Sequence, residues 1–177
     1  MIMKRILVAV DGSDHAMRAL DLACALASRF HAELIAVHVV SDRLLSADER
    51  QLAATEFHTE IARDFDPQPF IEARGDPQLM SERLTGQAVE TGRRFRFALG
   101  ERLVQDAASS AKEQGIAART VVRAGDPASE ILEVARAEPV DLIVMGRRGL
   151  GDLAGLLLGS VSHKVAHLAD CACLTVK

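Results

Sequence analysis

The 177-residue chain is 49% apolar and 26% charged, the balance of one globular domain with a full hydrophobic core. Its formal net charge of −4 supplies no drive toward phosphate backbones, and with aromatics at 3% and neither Trp nor Tyr it has no stacking platform for bases, so the composition argues against nucleic-acid binding. No apolar run reaches the length of a membrane span, no leader pattern precedes the first strand-like segment, and Cys24, Cys171 and Cys173 make no even disulfide framework; these features predict a cytoplasmic protein with reduced thiols.

Ile6–Val10 is a short apolar run ended by Asp11-Gly12-Ser13, the pattern of a strand buried on both faces. Ser13 is a good N-cap, and from Ala16 to Phe30 apolar residues recur at helical spacing. Leu34–Val40 reads as a second buried strand, completing a βαβ unit. The stretch from Ser41 to about Gly92 breaks the alternation and is expected to be an insertion, about 42–92, partly helical over Ser46 to Phe65. A core helix beginning somewhere after Gly92 then runs through Gln105–Lys112 and stops at Gly115. Ala118–Arg123 is a third strand. Gly125-Asp126-Pro127 turns into a helix with Asp126 as cap and Pro127 at its first position, and the same tripeptide at Gly75 is read as another helix start. Val140–Met145 is a fourth strand, Ser160–Ala169 a helix, and Leu174–Val176 a fifth strand. Strands alternating with helices predict a doubly wound parallel α/β sheet.

The most informative segment is Gly146-Arg147-Arg148-Gly149, then nine residues, then Gly159-Ser160, set between a buried strand and a helix. Glycine lets backbone N–H groups approach phosphate oxygens with no Cβ in the way, and the start of a helix adds free donors and a positive dipole end. The segment is neither a Walker A loop nor a GxGxxG fingerprint. Turn-forming glycines and a capping serine would account for any one of these residues without a ligand. Arg147 and Arg148 are candidate phosphate contacts through their planar guanidinium forks, or simply solvated loop residues.

The spacing of that segment resembles the ATP-binding pattern of the universal stress proteins. Asp141–Gly146, Gly159–Ser162, Ile6–Ser13 and Val37-His38-Val39 look like further blocks of that family in the right order, covering residues 1–40 and about 100–177. The resemblance implies a Rossmann-like five-stranded sheet of order 3-2-1-4-5. It implies that Ala9, Asp11 and Val39 line the adenine and ribose side of ATP and that Met145 and Gly146 lie at the nucleotide's centre. Gly149, Gly159, Ser160, Val161 and Ser162 would cradle the phosphates, with Mg or another divalent cation in company. In such a sheet the ends of the first and fourth strands flank the topological switch point, where ligands bind.

Other constellations carry less. His163 and His167 lie four apart on one helix face, followed by Cys171 and Cys173, but the spacing matches no strong zinc pattern, and the histidines are expected to face solvent. The family's usual Cys-Pro pair is Cys171-Ala172 here. Ser13, Ser160 and Ser162 show no triad order or nucleophile elbow, and His38, between two valines, reads as a packed strand residue. Three functions remain open: a nucleotide-dependent stress or signalling module with an unknown regulatory protein partner, a dimeric interaction module that binds no nucleotide, and a slow ATPase or adenylyl-transfer enzyme. An unguarded fifth strand at the sheet edge, together with the resemblance, points to a homodimer joined through that strand.

Overall fold

The computed structural model describes residues 3–41, 77–149 and 159–177. The expected helix from Ser46 to Phe65 lies outside them. The chain divides into two compact units, one of residues 1–41 and 99–177, the other of residues 42–98.

In the first unit, strands β1 (Arg5–Ala9), β2 (Glu33–Val40), β3 (Ala118–Ala124), β4 (Leu142–Gly146) and β5 (Ala172–Val176) form one sheet of order β3-β2-β1-β4-β5. Every neighbouring pair is parallel. Among the described residues the helices are α1 (Asp14–Phe30), α2 (Pro77–Glu113, shared by the two units), α3 (Pro127–Ala137) and α4 (Ser160–Leu168). The central strands are apolar at successive positions because each face meets its own helices. Ile6, Val8, Leu34, Ala36, Leu142 and Val144 pack with Ala19, Leu20, Ala23 and Ala27 of α1 and with Val104, Ala107 and Ala111 of α2. Leu7, Ile35, Val37, Ile143 and Met145 point the other way, onto Ile131, Leu132 and Val134 of α3 and Val165 of α4. This is the two-sided burial that a parallel sheet requires.

Local signals account for the helix ends. Ser13 caps α1, its hydroxyl accepting the Ala16 N–H at 3.2 Å. His31, at φ 54° and ψ 39°, closes the same helix in the left-handed region. Asp126 caps α3 through the Ser129 N–H at 3.0 Å, with Pro127 at the helix start. The helix start read at Gly75-Asp76-Pro77 is present, but the core helix, expected to begin only after Gly92, is continuous with it. It begins at Pro77 and runs without a break through Gly86, Gly92 and Gly100. Gly100 is where α2 crosses β2: a Cβ there would stand 2.7 Å from Cδ2 of His38 and 3.3 Å from Cγ2 of Val40. Close packing against the sheet therefore outweighs the roughly 1 kcal/mol by which glycine disfavours a helix relative to alanine.

Of the second unit, the described part is the leading stretch of α2. There Glu90 pairs with Arg93 and Arg94 one turn on, at 3.0 and 3.1 Å.

Candidate functional site

β1 and β4 are hydrogen-bonded neighbours, with Ala9 beside Met145. Beyond these residues the chain parts: β1 leads to α1 on one face of the sheet, and β4 leads to α4 on the other. The divergence opens a crevice at the carboxyl ends of the strands. It holds a cavity of about 270 Å³.

Its floor is apolar. Ala9 and Val10 come from the end of β1, Val37 and Val39 from β2, and Met145 from β4. Pro127 and Ile131 at the start of α3 cover one side. The opposite side is polar and built from backbone: Gly146, Gly149 and Gly159, then Ser160, Val161 and Ser162 in the first turn of α4. Gly159 is the N-cap and supplies no side-chain hydrogen bond, while the first intrahelical bond from this turn is the His163 N–H to the Gly159 carbonyl at 2.9 Å. The N–H groups of Ser160, Val161 and Ser162 thus lack the intrahelical acceptors that later residues have, and the positive end of the helix faces the cavity.

All ten positions that the resemblance implies for a nucleotide border this cavity: Ala9, Asp11, Val39, Met145, Gly146, Gly149 and the run from Gly159 to Ser162. Arg148 also lines it, whereas Arg147 does not. Asp11 is half-buried and tied back by its own turn, Oδ1 accepting the Ser13 N–H at 3.0 Å. Its other oxygen lies against Gly149, so closely that a Cβ at 149 would overlap it.

The loop's ends are joined by short bonds. The Gly159 N–H donates to the Arg147 carbonyl at 2.8 Å, and the Arg147 N–H donates to the Val176 carbonyl of β5 at 2.6 Å. Ser162 is 4% exposed, and its hydroxyl lies 2.9 Å from the Arg147 carbonyl and 3.0 Å from that of Gly159. Outside the cavity, Lys164 of α4 reaches Asp126 at the cap of α3, 2.8 Å away. That ammonium, with the Ser129 hydroxyl and N–H, holds the Asp126 carboxyl down to about 2.

Sequence reasoning missed several lining residues. His38 borders the cavity with its Nδ1 2.8 Å from the Val10 carbonyl; a carbonyl only accepts, so Nδ1 carries the proton. Pro127 ends the Gly-Asp-Pro turn and Ile131 lies one helical turn on; the composition announces a helix start but not that this start lies over the end of the sheet. Ala16 is on the wall because α1 begins directly behind Asp11.

The histidine and cysteine residues near the end of the chain do not converge. The rings of His163 and His167 are stacked, 6.4 Å between centroids with planes 9° apart, and both side chains are exposed. Cys171 and Cys173 pack onto the α3 side of the sheet instead. Burial raises both thiols above the ordinary range. Among the described residues no three His, Cys, Asp or Glu side chains gather as a metal site.

The model of the universal stress protein family matches residues 3–177, including the middle stretch outside the motif blocks. Universal stress protein YxiE of Bacillus subtilis is 34% identical over 98% of this chain and 98% of its own length. Among solved structures, universal stress protein UspA from Lactobacillus plantarum matches with a TM-score of 0.66 at 22% identity, over 100% of this chain and 99% of its own. The universal stress protein from Archaeoglobus fulgidus in complex with dAMP matches with a TM-score of 0.56 at 19% identity, over 100% of both chains. With the sheet order, the glycine-spaced loop and a match along nearly its whole length in agreement, the chain belongs to the universal stress protein family.

Proposed function

We propose that the chain binds ATP in the crevice between β1 and β4 and works as a nucleotide-dependent stress-response or signalling module. The observation that carries the reading is the cavity's two-sided chemistry. An apolar slot formed by Ala9, Val39 and Met145 suits a flat base, and the bare first turn of α4 beside Gly149 suits an anion. The Archaeoglobus fulgidus relative solved with dAMP supports an adenine nucleotide as the occupant. In this reading the ribose lies near Asp11 and the phosphates lie against Gly149 and the Gly159–Ser162 turn, with Arg148 at hand for their charge. A divalent cation accompanying ATP would be held chiefly by phosphate oxygens and water, the usual manner of Mg.

Titration calorimetry on the wild type and on Gly159→Val tests the site. The expected result is binding by the wild type and a loss of at least about tenfold in the variant, whose side chain would crowd the Arg147 carbonyl 3.2 Å from the new Cβ. Equal affinity would remove the loop from the site. Turnover is expected to be slow: the Ser162 hydroxyl is committed to the loop, and the Nε2 edge of His38 is turned against α2, where a Cβ at Gly100 would stand 3.4 Å from Nε2. Phosphate release at about 1 per second or faster, the ordinary enzymatic range, would overturn that part.

The proposal extends to a cytoplasmic homodimer joined through β5, with a regulatory protein as the further partner. β5 is an outer strand of the sheet, and Leu174, Thr175 and Val176 are strand formers without a proline or inward charge to block another strand. Light scattering should give twice the chain mass for the wild type and a shift toward the monomer for Val176→Pro. A wild type that stays monomeric at high concentration would refute the dimer.

A further inference from the structure

The Ser162 side chain is in the cavity wall, yet its hydroxyl is already spent. It stands within hydrogen-bonding distance of two carbonyls, Arg147 at 2.9 Å and Gly159 at 3.0 Å, which flank the two ends of the phosphate loop. One proton can be shared between these acceptors, and a nearly buried hydroxyl so placed offers a ligand no free donor. The same Arg147 residue has a second commitment: its carbonyl also receives the Gly159 N–H at 2.8 Å, and its N–H donates to the last residue of β5, Val176, at 2.6 Å. Arg147 therefore stands between two planar peptide groups, one bonded to the loop's return and the other to the edge strand.

We propose that Ser162 is a positioning residue: its hydroxyl staples the start of the phosphate loop to its return, and through the backbone of Arg147 the staple fixes the end of β5. The proposal rests on nucleotide binding at this loop. Its physical content is that the ligand meets Ser162 only through the backbone N–H in the first turn of α4, while the hydroxyl sets where that turn stands. Without the hydroxyl the Arg147 carbonyl keeps only the Gly159 N–H, the loop ends part more readily, and the Arg147–Val176 bond opens with them. Ser160 differs. It sits in the same turn but is exposed, so its hydroxyl is available to a phosphate.

The test compares Ser162→Ala, Ser162→Thr and Ser160→Ala with the wild type, using ATP titration calorimetry and amide hydrogen exchange by NMR. In the absence of nucleotide, Ser162→Ala should speed exchange of the Arg147 amide about tenfold, the cost of one buried hydrogen bond, and weaken ATP by a similar factor. Ser162→Thr keeps a hydroxyl and should recover most of both. Ser160→Ala should leave Arg147 exchange at the wild-type rate whatever it does to affinity. Two results would overturn the proposal: Arg147 exchange as slow in Ser162→Ala as in the wild type, or ATP bound equally well by both. A wild type that binds no ATP would instead defeat the underlying functional reading, and the exchange comparison would still decide whether the staple exists.

Discussion

A methyl group at position 149 would collide with the Asp11 carboxylate, because the chain passes directly over that oxygen. Gly149→Ala should displace Asp11 and weaken nucleotide binding while leaving the sheet untouched, so calorimetry should move and urea unfolding should not. Gly146→Ala presents the opposite case. Its Cβ would stand 2.9 Å from the backbone carbon of His15 and 3.0 Å from the Ala16 nitrogen, atoms that can move only if β4 and α1 move apart. Overpacking of this kind costs about 1–3 kcal/mol, so the urea midpoint should fall. At the same scale, Cys24 is 1% exposed, and burial, helped by the Asp21 charge, pushes its thiol up to about 11. A thiol reagent at neutral pH should modify Cys171 and Cys173 in the native protein and reach Cys24 only on unfolding; early labelling of Cys24 would contradict that. These residues differ in how far the sequence announces them. The glycine spacing is enough by itself to point to a phosphate loop, because the motif is local. That Gly146 exists for α1, and Gly149 for Asp11, depends on contacts across more than a hundred residues, and composition around the loop says nothing of them.

Between elements, the pair Lys164–Asp126 ties α4 to the start of α3, the two helices that flank the cavity on the same side of the sheet. The Asp126 carboxyl is held at about 2, below the roughly 3.9 of a free aspartate. A carboxyl depressed in the folded state stabilises that state above its unfolded value, and the contribution disappears as the pH falls through the folded value. Asp126→Asn should therefore be less stable than the wild type at pH 6. The gap should narrow between about pH 4 and pH 2 and close below that, as followed by urea unfolding across the range; a gap independent of pH would show that the ion pair is not its source. Asp126 and Pro127 are legible as a helix start because caps are written in the residues themselves. The start of α2 at Pro77 is legible in the same way, but its unbroken run is not. Glycine marks helix ends in most contexts, and three glycines along 77–113 suggest interruption. Contact with β2 at Gly100 reverses that preference, and packing of this kind leaves no local trace.

For the molecule as a whole, the alternation of strands and helices reveals the fold class and the family motifs imply the strand order, because both depend on patterns that repeat through the chain. The 42–92 segment carries no such pattern. We expect it to be an appendage that the sheet unit does not need, since α2 contributes Val104, Ala107 and Ala111 to the core from beyond it. A chain in which a flexible linker replaces residues 42–92 should still unfold cooperatively in urea, and loss of that transition would assign the segment to the core.

The central place of β1 has a consequence for synthesis. The N–H groups of Lys4 and Arg5 donate to the Asp141 carboxylate at 2.6 and 3.0 Å, the first of these bonds spanning 137 positions, and β1 pairs with β4 on that side. At translation rates of roughly 5–20 residues per second, on the order of ten seconds separate the emergence of the two strands. Throughout that interval Ile6, Leu7 and Val8 are without the β4 partner that Leu142, Ile143 and Val144 supply in the folded sheet. Joining β1 to β4 is therefore among the last steps open to the growing chain, and the centre of the sheet closes late.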